Sequence, residues 1–323
     1  MPTPATISEA DTRAVLLHLW RSPETTMHAL TRDAQLTPDA ALRALADLAA
    51  HGCLLERSPT HVHLERIGLG CYRDLLEHLA QQNHWRLARR VQIFQRTAST
   101  NDAAWSAAAD PRNDGLVVFA DEQTAGRGRR GNQWHAPAGQ SILTSILLAN
   151  VPHENVERLT LLAGLATALA IESTTHLTTQ IKWPNDVLID NRKVAGILVE
   201  KRAAHVVVGI GINVLQAASD FDPAVAHRAT SLLIAAGRRF DRLRLLAALI
   251  DQFHALLARH DQSWLDDWRR RCHMLGRPVR VLHEGRERTG QILDVDPLAG
   301  LIIRDEFGVT HMLSSATTTV LAY

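Results

Sequence analysis

Three arginines stand among three glycines in the run T-A-G-R-G-R-R-G-N-Q-W, residues 124–134. Like charges repel and glycine costs backbone entropy, so the arrangement needs an offsetting partner. Gly126, Gly128 and Gly131 let the chain approach a ligand closely and adopt positive φ. Main-chain N–H groups in such turns point at anions. The guanidiniums of Arg127, Arg129 and Arg130 add charge-assisted hydrogen bonds of roughly 1.5–3 kcal/mol each once removed from water. Trp134 offers a flat apolar face to a ring or chain. A basic surface loop, or one that touches nucleic acid, has the same composition. The run alone does not separate these readings.

Two further stretches carry chemistry. In I-K-W-P-N-D-V-L, residues 181–188, Pro184 fixes φ just after a strand and holds Asn185 and Asp186 at its mouth. A carboxylate beside an amide suits Mg²⁺ or a ribose, although N-D is also an ordinary turn pair. In R-K-V-A-G-I-L-V-E, residues 192–200, Lys193 heads an otherwise apolar strand. Beside a phosphate it acts as a compact point charge; on a sheet edge it discourages aggregation. In the following H-V-V-V-G-I-G-I-N-V, Gly209 and Gly211 weaken a strand unless a backbone or ligand comes close. G-I-G is not a dinucleotide fingerprint, because the third glycine and the following helix are missing. No Ser/His/Asp triad is legible.

These residues need a scaffold. To residue 66 the chain reads as a helix over 12–20, a helix from Thr26, a helix over 38–50 and two short strands flanking Ser58-Pro59. Thr37 caps the third helix, Pro38 takes its first position and Gly52 ends it. Helix, helix-turn-helix and β-wing make a winged-helix pattern. A connecting helix spans 72–85. Strands are expected at 91–94, 116–121, 141–148, 181–183, 187–189, 194–200 and 206–212, with a turn at Asp190-Asn191. Helices are expected at 101–109, 159–171 and 241–260, the last with an apolar stripe from Leu243 to Leu257. From Gly276, strands at 278–282, 289–295, 301–305 and 310–313 suggest a small barrel of four or five strands. The boundaries are 1–66, a linker helix 67–90, a central domain 91–272 and a C-terminal unit 273–323.

The chain has 323 residues, 46% apolar and 21% charged, enough to bury a core in two or three domains. A net charge of +1 gives no global bias toward nucleic acid or anionic membrane. Cys53, Cys71 and Cys272 are odd in number, far apart in sequence and without CxxC spacing. That argues against a disulfide framework or zinc site and fits a reducing cytosol. The run M-P-T-P-A-T-I-S-E-A-D lacks a signal pattern, and the apolar runs near 159–171 and 206–215 are too short to span a bilayer.

Together the three stretches, in this order and preceded by Q-R-T-A-S-T-N-D-A-A at 95–104, resemble the biotin–protein ligase family. The resemblance is strong from Phe94 to Asn213, and the flanking regions match the layout of bifunctional bacterial members, both ligase and biotin-operon repressor. It implies an α+β protein: an N-terminal winged helix-turn-helix, a central mixed α/β domain like class II synthetases, and a C-terminal SH3-like β-barrel. It implies two steps: biotin carboxylate attacks the α-phosphate of MgATP, then a lysine of the biotin carboxyl carrier domain of acetyl-CoA carboxylase takes the biotinyl group. It implies a biotin site of Ser99, Thr100, Asn101, Gln123, Arg127, Gly128, Arg129 and Lys193, with Ser99 and Gln123 on the ureido ring. ATP and adenylate fall to Gly126, Arg130, Trp134, Asn185 and Asp186, with Asp186 toward the metal and Lys193, Arg127 and Arg129 as the catalytic cations. The glycine-rich loop becomes a lid. Expected partners beyond the carrier domain are a second copy and operator DNA, in the cytoplasm, with no membrane.

Against DNA stands charge: residues 1–66 hold six Arg, no Lys and eight Asp or Glu. DNA affinity draws largely on phosphate neutralisation. The exposed positions expected on the second helix of the motif are Asp39, Ala40, Ala41 and Arg43, and His28, His51, His61 and His63 add charge only at lower pH. Two other readings share features: a lipoate–protein ligase, and a winged-helix regulator that senses a ligand without turnover. No residue is assigned to stack on adenine; residues 219–231 hold only Phe221 as an aromatic.

Overall fold

A computed structural model describes residues 10–152, 155–259 and 261–323. Most of the N-terminal run and His260, expected as the end of a helix, lie outside the described residues.

The first unit comprises α1 (Ala10–Arg21), β1 (Glu24–Thr26), α2 (Met27–Ala34), α3 (Pro38–Ala50), β2 (Leu54–Arg57) and β3 (His61–Arg66), its sheet running β1-β3-β2. Thr26 accepts from Ala29 N at 3.0 Å to start α2, and Thr37 accepts from Ala40 N at 3.2 Å to start α3. Gly52, at φ +87°, turns the chain into the hairpin. The short β1 carries no sequence signal of its own. Ala40 and Ala41, expected on the exposed face of α3, are buried, whereas Asp39, Leu42, Arg43 and Ala46 face solvent. A one-residue phase error on a 3.6-residue period is enough to swap those faces. Cys53 and Cys71, distant in sequence, meet with their sulfurs 3.5 Å apart as thiols.

The linker α4 (Tyr72–Gln82) stops short of Trp85, whose indole N–H donates to Asp251 at 2.8 Å instead of continuing a helix. Next come β4 (Val91–Thr97), α5 (Thr100–Ser106), β5 (Val117–Gln123), β6 (Ser141–Leu148), α6 (Asn155–Thr175), β7 (Gln180–Lys182), β8 (Asp186–Ile189), β9 (Arg192–Arg202) and β10 (His205–Asn213). The remaining helices are α7 (Pro223–Ala226), α8 (Leu232–Ala236), α9 (Arg242–Leu257) and α10 (Ser263–Arg271). The sheet order is β4-β5-β6-β10-β9-β8-β7, with β4–β5 parallel and the other pairs antiparallel. Asp190 and Asn191 both take positive φ, as a two-residue hairpin turn requires. Every residue of β6 is buried, because the strand is central and covered on both faces.

Side chains alternate across a strand, so register decides which residues share a face. Gly196, Leu198 and Glu200 of β9 pair with Gly211, Gly209 and Val207 of β10, which pair with Leu143, Ser145 and Leu147 of β6. Leu147 and Val207 pack with Ala104 of α5 in a small core, while Val206 and Val208 join the main core on the opposite face. Helix α5 is only two turns long and covers part of that first face.

The last unit has five antiparallel strands, β11 (Pro278–His283), β12 (Arg286–Asp296), β13 (Gly300–Arg304), β14 (Thr310–Leu313) and β15 (Thr318–Ala322), in the order β14-β13-β12-β11-β15. One hydrophobic core runs through all the units, from Leu16 through Leu75 and Ile250 to Val281. Among the described residues no helix is long and apolar enough to cross a membrane.

Candidate functional site

The uncovered part of the α5-side face forms the floor of a cavity of about 350 Å³. Its floor is glycine for a steric reason. A Cβ on Gly209 would lie 2.4 Å from Asn101 Oδ1, and one on Gly211 would lie 2.6 Å from Trp134 Cε2. A Cβ on Gly196 would lie 3.1 Å from Trp134 Cζ3. Close approach was legible in the sequence; the approaching groups are an asparagine and an indole of this chain.

One wall is the start of α5. Thr100 donates to Gln123 Oε1 from its N–H at 2.7 Å and its hydroxyl at 3.0 Å. Ser145 Oγ lies 2.7 Å from Thr100 Oγ1 and 2.6 Å from Asn101 Oδ1. Asn101 Nδ2 donates to Glu200 at 3.0 Å. These bonds occupy the polar atoms of Thr100 and Asn101. Ser99 and Gln123 also line the cavity, with Gln123 Nε2 outside this chain of bonds.

The second wall is the glycine-rich loop. Gly128 N donates to Asn132 O at 2.7 Å and Trp134 N to Gly126 O at 2.9 Å. Arg130 and Gly131 both have positive φ, 58° and 76°. Gly126 is buried and does not line the cavity; a Cβ there would meet Trp134 O at 2.4 Å. The arginines diverge. Arg127 makes a double contact with Asp102 at 2.7 and 2.8 Å and reaches Glu200 at 3.2 Å. The hydrogen bonds to Asp102 push its pKa upward. Arg129 turns inward to Asn185 Oδ1 at 3.3 Å and to the carbonyl of Ser315. Burial, followed by the neighbouring Arg130, pulls its pKa down. Arg130 is exposed at the rim.

Asn185, Asp186 and Lys193 make the third wall. Asn185 Nδ2 donates to Ile197 O at 2.8 Å. Lys193 Nζ lies 2.6 Å from Asp186 Oδ1 and 5.6 Å from the Trp134 ring centre. Strand β9 sits between β10 and β8, so Lys193 is not an edge-strand lysine. Trp134 Nε1 is buried with no hydrogen-bond partner among the described residues.

Three contributors went unread in the sequence. Lys182, inside a quoted motif, lines the cavity 4.9 Å from the Tyr323 ring, its pKa lowered by burial. Arg228 arrives through Lys193, whose N–H donates to its carbonyl at 2.8 Å. Thr318, Thr319 and Val320 of β15 close the fourth wall. No local pattern signals contacts made across that sequence distance. The lining holds six Lys or Arg side chains and a single carboxylate, Asp186. Such a cavity binds anions. Among the described residues no cluster of three His, Cys, Asp or Glu could hold a metal alone.

The profile of the biotin/lipoate A/B protein ligase family matches residues 93–213. The chain is 40% identical over 159 residues to the bifunctional ligase/repressor BirA of Bacillus subtilis, a match spanning 47% of this chain and 49% of that relative. The match thus spans about half that relative's length. The identity is 35% over 237 residues to the biotin–[acetyl-CoA-carboxylase] ligase of Mycobacterium tuberculosis, covering 70% of this chain and 87% of that one. The solved biotin protein ligase from Aquifex aeolicus in complex with biotin and ATP is 28% identical, with a TM-score of 0.65 over 73% of this chain and 100% of that one.

Proposed function

The chain belongs to the biotin/lipoate A/B protein ligase family, and on that premise we propose that it is an ATP-dependent biotin–protein ligase. The observation that carries this reading is one cavity joining Ser99–Asn101, the glycine-rich loop and Asn185–Lys193 under six cations and a single carboxylate.

The first step brings together two anions. Two unit charges 4 Å apart repel by about 4 kcal/mol at a surface-like dielectric, and more in a drier site. Lys193, Arg129 and Lys182 offset that repulsion. A carboxylate oxygen of biotin attacks the α-phosphorus of ATP, the bond to the bridging oxygen breaks, and pyrophosphate leaves. The product is a mixed anhydride, biotinyl-5′-adenylate. In the second step the neutral ε-amine of an acceptor lysine attacks the acyl carbon and AMP leaves. Both nucleophiles come from substrates, so the protein positions and screens charge.

Ser99 and Gln123 Nε2 have hydrogen-bonding capacity for the ureido ring, while Thr100 and Asn101 act mainly by holding that wall. Trp134 covers the bound ligands and carries an unused indole N–H. Arg127 latches the loop through Asp102 and Glu200; Arg129 and Lys193 serve the acyl-phosphate. Arg130 and Gly128 complete the rim, and Gly126 sets the loop's path. A lone carboxylate fits Mg²⁺, which keeps water and phosphate oxygens as most of its ligands. Asp186 and Asn185 would hold the ion brought in with ATP, and it would add positive charge on the phosphates.

The boundaries 1–66, 67–90, 91–272 and 273–323 belong to the proposal, as do a winged helix-turn-helix at the start, an SH3-like barrel at the end and a cytoplasmic setting. So do a carrier domain of acetyl-CoA carboxylase as acceptor, a homodimer, and operator DNA, the last supported by the repressor half of a relative's name. The test is transfer. Purified chain with MgATP, biotin and a biotin carboxyl carrier domain should add one biotinyl group to one carrier lysine. No transfer of biotin, or transfer of lipoate in a parallel mixture where lipoate replaces biotin, refutes the proposal.

A further inference from the structure

Glu200 lies just beyond the cavity lining, on β9 beside Val207 and on the same sheet face as Gly196 and Leu198. Its carboxylate receives three donors from two separate segments. Asn101 Nδ2 reaches it at 3.0 Å and Trp105 Nε1 at 3.1 Å, both from α5, and the Arg127 guanidinium lies 3.2 Å from both of its oxygens. Arg127 is also held by Asp102 on α5. An isolated exposed ion pair contributes little. Here one carboxylate joins the cavity wall to the loop that closes it, and the Glu200 side chain is only 26% exposed.

We propose that Glu200 is a positioning residue that fixes the wall amide of Asn101 and latches the glycine-rich loop through Arg127. The proposal rests on the ligase reading for its consequence in turnover, but the latch itself is a property of the free protein. Asn101 has one workable orientation: Nδ2 must face the carboxylate, because Oδ1 faces Ser145 Oγ at 2.6 Å. An amide at position 200 keeps one acceptor oxygen and turns an NH₂ toward groups that are all donors. Asn101 and Trp105 both donate to Oε2, so the amide oxygen is held there and the NH₂ falls at the Oε1 position against the Arg127 guanidinium, whose positive charge keeps only Asp102 as a counter-charge.

Trypsin reads the latch directly, since Arg127, Arg129 and Arg130 are themselves cleavage sites. In ligand-free Glu200→Gln, nicking after these residues, followed by fragment mass, should be about tenfold faster than in wild type, the loss of one charge-assisted hydrogen bond. Glu200→Asp keeps the charge but cannot span both segments, so it should nick at an intermediate rate; it also serves if the amide variant does not fold. Nicking at the wild-type rate in either folded variant overturns the proposal. A second readout separates positioning from general weakening. Adenylate formed in situ should escape Glu200→Gln about tenfold faster while the thermal midpoint stays within a few degrees. A wild-type chain that forms no adenylate refutes the ligase reading, and the nicking result still decides the latch.

Discussion

Gly211 is where one methyl group should do most harm to the site. Its added Cβ would sit 2.6 Å from the Trp134 ring, so the indole must leave the floor. Overpacking of this kind costs about 1–3 kcal/mol. Gly211→Ala should therefore weaken biotin binding by about ten- to a hundredfold by calorimetry, with little change in circular dichroism. Lys193→Ala removes the ammonium paired with Asp186 and should cut biotin-dependent ATP–pyrophosphate exchange by at least about a hundredfold with the fold intact. Arg129→Gly loses the ties to Asn185 and to the Ser315 carbonyl. It should release adenylate early and biotinylate lysines of bystander proteins, scored on a streptavidin blot; unchanged selectivity contradicts the lid. At this scale much was legible. Charged side chains and strand glycines carry their meaning locally, so Arg127, Arg129, Arg130 and Lys193, though not Lys182 or Arg228, and the close approach at Gly209 and Gly211 could be read. What the glycines made room for could not, because Asn101 and Trp134 lie far away in the sequence.

Among the elements, α3 bears on DNA binding. Its exposed face presents Asp39, Leu42, Arg43 and Ala46, and the domain carries two more acidic than basic residues. Each neutralised phosphate contributes about −0.9 to the log–log salt slope. A gel-shift titration on the chain's own operator, with biotin and ATP present, should give a slope no steeper than about −4 per chain. A steeper slope would mean phosphate contacts that this surface does not offer. The helix itself was legible: Thr37, Pro38 and Gly52 mark its ends. Its exposed face was misjudged because two small residues in a row, Ala40 and Ala41, give the apolar pattern no clear phase. Strand β1 was missed because three residues that pair only with β3 have no pattern to show.

Over the whole molecule, the C-terminal sheet is a wall of the site. Strand β15 lines the cavity, and the Ser315 hydroxyl donates to Glu157 of α6. Burial pushes the Glu157 carboxyl upward in pKa, against that hydrogen bond. Ser315→Ala removes the hydroxyl donor and leaves the buried carboxyl with only the Ser315 main-chain N–H, and should cost about 1–3 kcal/mol by chemical denaturation. It should also raise the KM for ATP more than that for biotin, as the wall loosens. These strands were legible as strands, but their docking was not, since contacts from residue 315 to residues 129 and 157 leave no periodic trace. The meeting of the Cys53 and Cys71 thiols was illegible for the same reason.

The central claim is that this cationic cavity activates a carboxylate as its adenylate. Exchange of labelled pyrophosphate into ATP tests it without any carrier protein. The wild-type chain should catalyse exchange only when biotin and Mg²⁺ are both present. Exchange that ignores biotin, or none at all from folded protein, would contradict it.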